Sequence, residues 1–391
     1  MRHENEPAGD GAGGTNRALN VMRAAAAFLV CVAHVRRYLL KPLEGNDFGP
    51  LTELAYALTS LGHGAVMVFF VLSGYFVGGS VLRGRARGTF RWSEYLTART
   101  LRLWLVLIPA LILTAILDRV GRLAYEDTDM YRDGARAVEN SGALDFLGNA
   151  FFLQTQVVPV YGSNGPLWSL GYEYAYYLLF PLILVGVFGR GTAGVRRLAA
   201  AVLIAAIAAI AGPLVVALFV AWLAGALIAW KEPEIRVLLR RLGRLLNPAR
   251  AVTLVALVGA MLVNKVLGGS VDQITVGTYA TAACAFVLVA LYVTDVAPRR
   301  RWADSALNGS RHLAESSYSL YAYHLPVLAL LSTAMTPSGP AYTGWLDPGL
   351  AGWALVAGVT AALVAGGWVF ARGTEHYYKP LRSRAIARLR R

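Results

Sequence analysis

The chain has 391 residues, 56% of them hydrophobic and only 15% charged, and its 37 Lys and Arg against 23 Asp and Glu leave a net charge of +14. Soluble domains carry roughly a quarter charged residues, so this composition cannot cover a water-facing surface, and it is far too apolar for a disordered chain. A nucleic-acid partner is excluded by distribution, because the arginines recur in short blocks between apolar runs and never gather on one patch. Cys31 and Cys284 both lie inside apolar runs, which argues against a disulfide framework or a cysteine metal site.

Residues 1–17 are polar and Gly-rich and read as a disordered tail. A bilayer core takes about 20 apolar residues per helix, and the runs near 18–40, 54–82, 100–118, 166–188, 195–211, 213–230, 251–269, 275–294, 313–335 and 350–372 predict about ten transmembrane helices. The fold class is therefore all-α and polytopic, with one membrane domain over 18–381 and a basic tail over 382–391. The first run carries Arg23 and His34 and lacks a small-residue cleavage site, which argues against a removable signal peptide.

Loop charge predicts orientation. Arg83, Arg85, Arg87, Arg91, Arg99 and Arg102 follow the second run, and further basic blocks lie at Arg190/Arg196/Arg197, Arg236/Arg240/Arg241/Arg244, Arg299/Arg300/Arg301 and the C-terminal tail. With ten spans and both termini cytoplasmic, all of these fall on the inner face of the cell's inner membrane. Arg36, Arg37 and Lys41, at the outer end of the first span, are exceptions that the rule does not explain. The longest outer loop, 119–165, is acidic, and its Tyr125, Tyr131 and Tyr161 have the flat apolar faces that stack on sugars, although a plain connecting role is the preferred reading.

Ionisable groups inside spans mark function by default. Arg23 and His34 are 11 positions apart, three turns plus about 20°, so they share a helix face roughly 16 Å apart along the axis. Taken singly, each is also what a snorkelling flank arginine and an interfacial histidine look like. The second span holds Ser73 among Gly62, Gly64, Gly74, Gly78 and Gly79, a pattern that suits close approach of a ligand or, more blandly, of a neighbouring helix. Glu173 falls about two turns into the fourth span, where an ion pair with an arginine competes with a catalytic role, and the ninth holds Tyr318, Tyr321 and His324.

Together these segments resemble the integral-membrane acyltransferase family 3, which modifies lipopolysaccharide, exopolysaccharide and macrolides. The resemblance rests on Arg-x10-His (Arg23, His34), Phe-Phe-x-x-Ser-Gly (Phe69, Phe70, Ser73, Gly74), Trp-Ser-Leu-x-x-Glu (Trp168, Ser169, Leu170, Glu173) and Ser-Tyr-x-x-Tyr-x-x-His-x-Pro (Ser317, Tyr318, Tyr321, His324, Pro326). Asn20 stands where the family opens with Asp, and the closing Glu-x-Pro is stretched here between Glu375 and Pro380.

The resemblance implies an O-acyltransferase that moves an acyl group, commonly acetyl, from acyl-coenzyme A to a hydroxyl of a sugar, glycan or polyketide-type acceptor. A histidine is the usual base for a weak alcohol nucleophile, so His34 is the expected base, and Glu173 is expected to orient it as a triad carboxylate does. Arg23, Arg99 and Arg102, with Ser73, are the expected donor-binding residues, since guanidinium groups fork onto phosphates. Trp168, Tyr318, Tyr321 and His324 are the expected substrate-binding residues. No permanent cofactor and no metal are expected, acyl-coenzyme A being a co-substrate. The expected partners are the lipid bilayer, the two substrates and a second copy of the chain as an open option. A proton-coupled transporter also needs intramembrane Arg, His and Glu, but the chain lacks the inverted repeat that transporters often show.

Overall fold

A computed structural model describes residues 16–43, 48–189, 194–270, 273–294, 316–336 and 344–390. The expected N-terminal tail up to residue 15, Arg190 and Arg299 to Arg301 lie outside them. The described residues form an all-α membrane protein built of α1 (Arg17–Leu39), α2 (Pro50–Leu58), α3 (Gly62–Ser73), α4 (Gly79–Ala86), α5 (Trp92–Ala124), α6 (Arg136–Glu139), α7 (Ala143–Ala150), α8 (Trp168–Pro181), α9 (Gly194–Trp230), α10 (Glu232–Leu242), α11 (Leu246–Val266), α12 (Val276–Tyr292), α13 (Ser317–Met335), α14 (Leu350–Gly373) and α15 (Tyr378–Leu389). A π-helical turn, Gly74–Gly78, joins α3 to α4, and a second, Leu182–Val187, extends α8.

Among the described residues, seven helices are long and apolar enough to cross a membrane, and Val276–Tyr292 is a shorter apolar one. The seven fall short of the ten spans read from the sequence. The stretches 195–211 and 213–230 are two helical runs joined end to end in α9 across Gly212, whose φ of 84° and ψ of 168° are not helical and are a setting that glycine tolerates, and Pro213 opens the second run.

α1 is fastened at both ends. At its start Asn16 caps the helix by accepting from the Leu19 N–H, and its amide donates to the carbonyls of Tyr292 and Val293 at the end of α12. At its finish the Lys41 N–H donates to the Leu346 carbonyl, and Trp345 and Leu346 donate back to Leu39. Between these anchors α1 packs on α3, α13 and α14. The C-terminal segment returns to the Arg23 end of the molecule: α15 lies along the first turns of α5, where Arg390 forks onto Glu94 with two bonds of 2.9 Å. Both the start of α1 and α15 therefore sit at one end, with Arg36 and Arg37 at the other.

Where Gly74 and Gly225 meet, the α3 end of the second span and α9 approach backbone to backbone. A Cβ on Gly74 would collide with the Trp222 carbonyl oxygen, and one on Gly225 with the Val71 carbonyl oxygen. Gly62 and Gly64 likewise face Ala33 of α1 and Met261 of α11. The glycines of the second span thus serve helix packing, as small residues do where lipid offers no hydrophobic drive.

Candidate active site

Two polar centres lie inside the bundle. The first is a pair of histidines from α1 and α13: His34 Nδ1 is 3.0 Å from His324 Nε2. His324 is fully buried, and its Nδ1 faces the carbonyls of Leu320 at 2.8 Å and Tyr321 at 3.0 Å. Carbonyls only accept, so Nδ1 of His324 carries its proton, and the neutral ring presents a lone pair at Nε2. Two lone pairs repel, so the proton between the rings belongs to His34 Nδ1. The hydrogen-bond geometry therefore assigns the unprotonated nitrogen of His34 to Nε2. His34 as a residue is half-buried, and its Nε2 has no hydrogen-bond partner among the described residues.

The second centre joins α3, α8 and α9. Glu173 Oε1 accepts from Ser73 Oγ at 2.5 Å and from the Tyr177 hydroxyl at 2.6 Å, and Trp222 Nε1 donates to Ser73 Oγ at 3.2 Å. The expected contact between Glu173 and His34 is not formed, because each is engaged elsewhere: His34 with His324, and Glu173 with Ser73 and Tyr177. Oε2 of Glu173, on a half-buried side chain, has no hydrogen-bond partner among the described residues.

The turn before α8 bridges the two centres. The Tyr321 hydroxyl donates to the Pro166 carbonyl at 2.8 Å and lies 2.7 Å from Ser169 Oγ. Asn164, fully buried, donates to Thr114 Oγ1 and to the Ala322 carbonyl. The turn is pinned from α5 by Asp118, which is 4% exposed and accepts from the Ser163 N–H at 2.8 Å and hydroxyl at 2.6 Å. Asp118→Ala is expected to free this turn and reduce acyl transfer at least tenfold, since a buried pair of charge-assisted bonds is lost. Asp118→Asn, which can keep one acceptor for Ser163, is expected to retain much more activity. Equal turnover in Asp118→Ala and wild type would show that the turn holds without it.

At the Arg23 end, Glu375 accepts from the Ser319 N–H at 3.1 Å and hydroxyl at 2.6 Å, and Arg102 and Arg23 lie within electrostatic reach of it. Arg102 also lies over the Tyr378 ring at 5.6 Å, and Arg99 donates to Ser80 Oγ at 2.9 Å. Tyr318 donates to the Leu103 carbonyl, between this end and the middle of the bundle.

Several sequence expectations resolve differently in space. The polar atoms of Tyr321 and His324 are spent inside the protein, and Trp168 is buried edge-on to Phe70 and Tyr172. Tyr131 and Tyr161 are buried, Tyr131 against Gly121, so neither offers a face to a sugar; the phenol of Tyr161 is pushed up by burial and by the carboxylates of Asp118 and Asp145. Sequence reasoning missed Tyr177, Trp222, Asn164 and Asp118. Tyr177 follows Glu173 by four positions, one helical turn on the same face, and Asp118 is a carboxylate within an apolar run, so both carried a readable signal.

A family model described as an acyltransferase domain matches residues 16–372 of the chain. A Haemophilus influenzae protein (strain ATCC 51907 / DSM 11121 / KW20 / Rd), described as an uncharacterized protein, is 29% identical over 122 residues, which is 30% of this chain and 47% of the relative. The chain thus matches about half the length of that curated relative. No solved structure matches the chain.

Proposed function

From the chain's membership of the acyltransferase domain family, we propose that it transfers an acyl group, acetyl in the first instance, from cytoplasmic acyl-coenzyme A to a hydroxyl of a sugar, glycan or glycosylated polyketide-type acceptor, with His34 as general base. The observation that carries this reading is the ordered proton chain from His34 through His324 to the Leu320 carbonyl, which leaves His34 Nε2 unprotonated. Nε2 takes the proton as the acceptor oxygen attacks the thioester carbon. When the tetrahedral intermediate collapses, the carbon–sulfur bond breaks and the departing thiolate takes that proton from the imidazolium, which returns the base. His324 acts through His34, as a positioning residue, while Glu173 is proposed to act on the substrate directly through Oε2.

Orientation in the inner membrane belongs to the same reading. With the arginine-rich end inside, ten crossings place both termini in the cytoplasm, and Arg23, Arg99 and Arg102 face the anionic end of the donor. The Arg23-to-His34 rise of roughly 16 Å is then spanned by the extended pantetheine arm, and the thioester meets the acceptor near the outer leaflet. Radiolabelled acyl-coenzyme A, incubated with the protein in proteoliposomes, is expected to label an acceptor pool. Proton-coupled flux with no labelled acceptor would favour the transporter reading, which the same intramembrane charges support.

Arg23→Ala is expected to raise the acyl-coenzyme A concentration required for half-maximal transfer at least tenfold. Arg23→Lys should rescue only part of this, because a point charge cannot make a two-pronged phosphate contact. Donor dependence unchanged in Arg23→Ala would remove the arginine from the donor site. Glu173→Gln tests the carboxylate: the amide oxygen can still accept from Ser73 and Tyr177, so folding should survive, and a rate loss of tenfold or more would come from the charge. Wild-type turnover in Glu173→Gln would reduce Glu173 to a tie between helices.

A further inference from the structure

The arginines left over by the topology rule gather where the acceptor would enter. Arg37 follows His34 by three positions, on the adjoining strip of α1, and lies within electrostatic reach of the imidazole. From across the cleft, Arg136 of α6 reaches the turn before α8: a Cβ on Gly165 would stand 3.3 Å from Leu325 Cδ2 and 3.7 Å from an Arg136 guanidinium nitrogen. Leu325 follows His324 on α13, so Arg37 stands beside His34 and Arg136 beside the turn that packs on the residue after His324.

Three cations of this face have found carboxylates, and Arg37 and Arg136 have not. Lys41 pairs with Asp347 at 2.9 Å, Arg122 with Asp133 at 3.0 Å and Arg132 with Asp129 at 3.2 Å. Among the described residues no carboxylate bridges Arg37 or Arg136, although the loop holding Arg136 is rich in acids. Both side chains are exposed. Two arginines without a carboxylate, Arg37 beside His34 and Arg136 at the turn before α8, leave this face short of negative charge.

We propose that the acceptor carries a carboxylate or phosphate, seated between Arg37 and Arg136, which brings its hydroxyl to His34 Nε2. This rests on the acyl-transfer reading and narrows it from hydroxyl compounds in general to anionic ones. One helical turn, about 5 Å, separates the Arg37 and His34 positions, a spacing that suits a hydroxyl and an acid group on one sugar ring. The anion also offsets the positive charge that His34 gains on taking the proton. A lipid headgroup phosphate offers the same chemistry, and the test separates the two sources.

The probes are methyl glucuronide and its neutral twin methyl glucoside, bound by equilibrium dialysis to the full-length protein in phosphatidylcholine nanodiscs. The glucuronide is expected to bind about tenfold more tightly, as a charge-assisted contact allows, and inorganic phosphate should displace it. Arg37→Gln and Arg136→Gln should each erase most of the preference. Arg122→Gln, which makes the same charge change in the same loop, should keep it. Equal binding of the two glycosides, or a preference that survives both substitutions or is lost equally in Arg122→Gln, overturns the proposal. So does phosphatidylglycerol that abolishes glucuronide binding and stays on the wild-type protein but not on Arg37→Gln, since the arginines would then hold a headgroup. Transfer of labelled acetyl from acetyl-coenzyme A to both glycosides is measured in parallel. Preference in binding without any transfer would sink the acyl-transfer reading alone, and equal transfer to both twins would sink the anion assignment alone.

Discussion

His34→Ala in the full-length protein is expected to lower acyl transfer by about 10²–10⁴-fold, the usual worth of a positioned general base, while the protein still inserts and elutes as a single species. Its side chain is tied to His324 and to the Val30 carbonyl one turn back, so the substitution opens a small space on α1 and leaves the two anchors of that helix untouched. His324→Ala should be nearly as damaging for a different reason. Without the Nε2 acceptor, the proton on His34 Nδ1 loses its imidazole partner, and the ring can more readily present its N–H to the acceptor hydroxyl in place of a lone pair. His324→Gln, whose side-chain oxygen can accept, should recover part of the rate. The double variant His34→Ala/His324→Ala is expected to be no worse than His34→Ala alone, because residues acting as one unit give non-additive losses. Near-wild-type turnover in His34→Ala would end its role as base, with His63 as the remaining histidine to test on that side of the bundle.

Gly225→Ala is expected to abolish the folded protein rather than its chemistry. The added methyl group meets the Val71 carbonyl oxygen, and the Tyr75 backbone nitrogen lies nearby, so relief requires α3 and α9 to move apart as whole helices. Overpacking against flexible side chains costs about 1–3 kcal/mol, and backbone on backbone should exceed that. Gly74→Ala, against the Trp222 carbonyl, should behave alike. Gly84→Ala is the matched control, since its Cβ would sit 3.5 Å from Phe90 Cβ, an ordinary contact. Size-exclusion chromatography after detergent extraction reads the result: a monodisperse peak for Gly84→Ala and its loss for the other two. A normal peak and melting temperature for Gly225→Ala would mean that the two helices do not approach as closely as described.

What could be read without coordinates follows from what a helix imposes on its own residues. The shared face of Arg23 and His34, the apolar length of the spans and the cost of Glu173 inside one of them are all local properties. The error over Glu173 shows the limit of that reasoning. Residue counts along two spans place His34 and Glu173 at similar depth, but depth is one coordinate of three, and the order of helices around the bundle decides which side chains meet. His34 instead meets a residue 290 positions away, and Ser73 meets Glu173 at a separation of 100. No periodicity in a single chain carries such pairings. The break between the runs 195–211 and 213–230 was legible, because Gly212 and Pro213 stand between them, whereas the way the two runs continue end to end was not.

The double anchoring of α1 turns that helix into a fixed-length gauge. Asn16 is held to α12 and Leu40 to the strand-like segment at 344–346, so a residue inserted between them cannot be absorbed by sliding at either end. Each added residue rotates everything beyond it by about 100° and lifts it by ~1.5 Å. A single alanine inserted after Ala26 would therefore carry either Arg23 or His34 off the shared face without altering the charge of the helix. Four inserted residues restore the face to within about 40° but lengthen the rise by ~6 Å. On the proposed roles of Arg23 and His34, the separation between donor site and base is a dimension written in residue count, and donors with arms of different length would be sorted by it before any pocket touched their acyl chains.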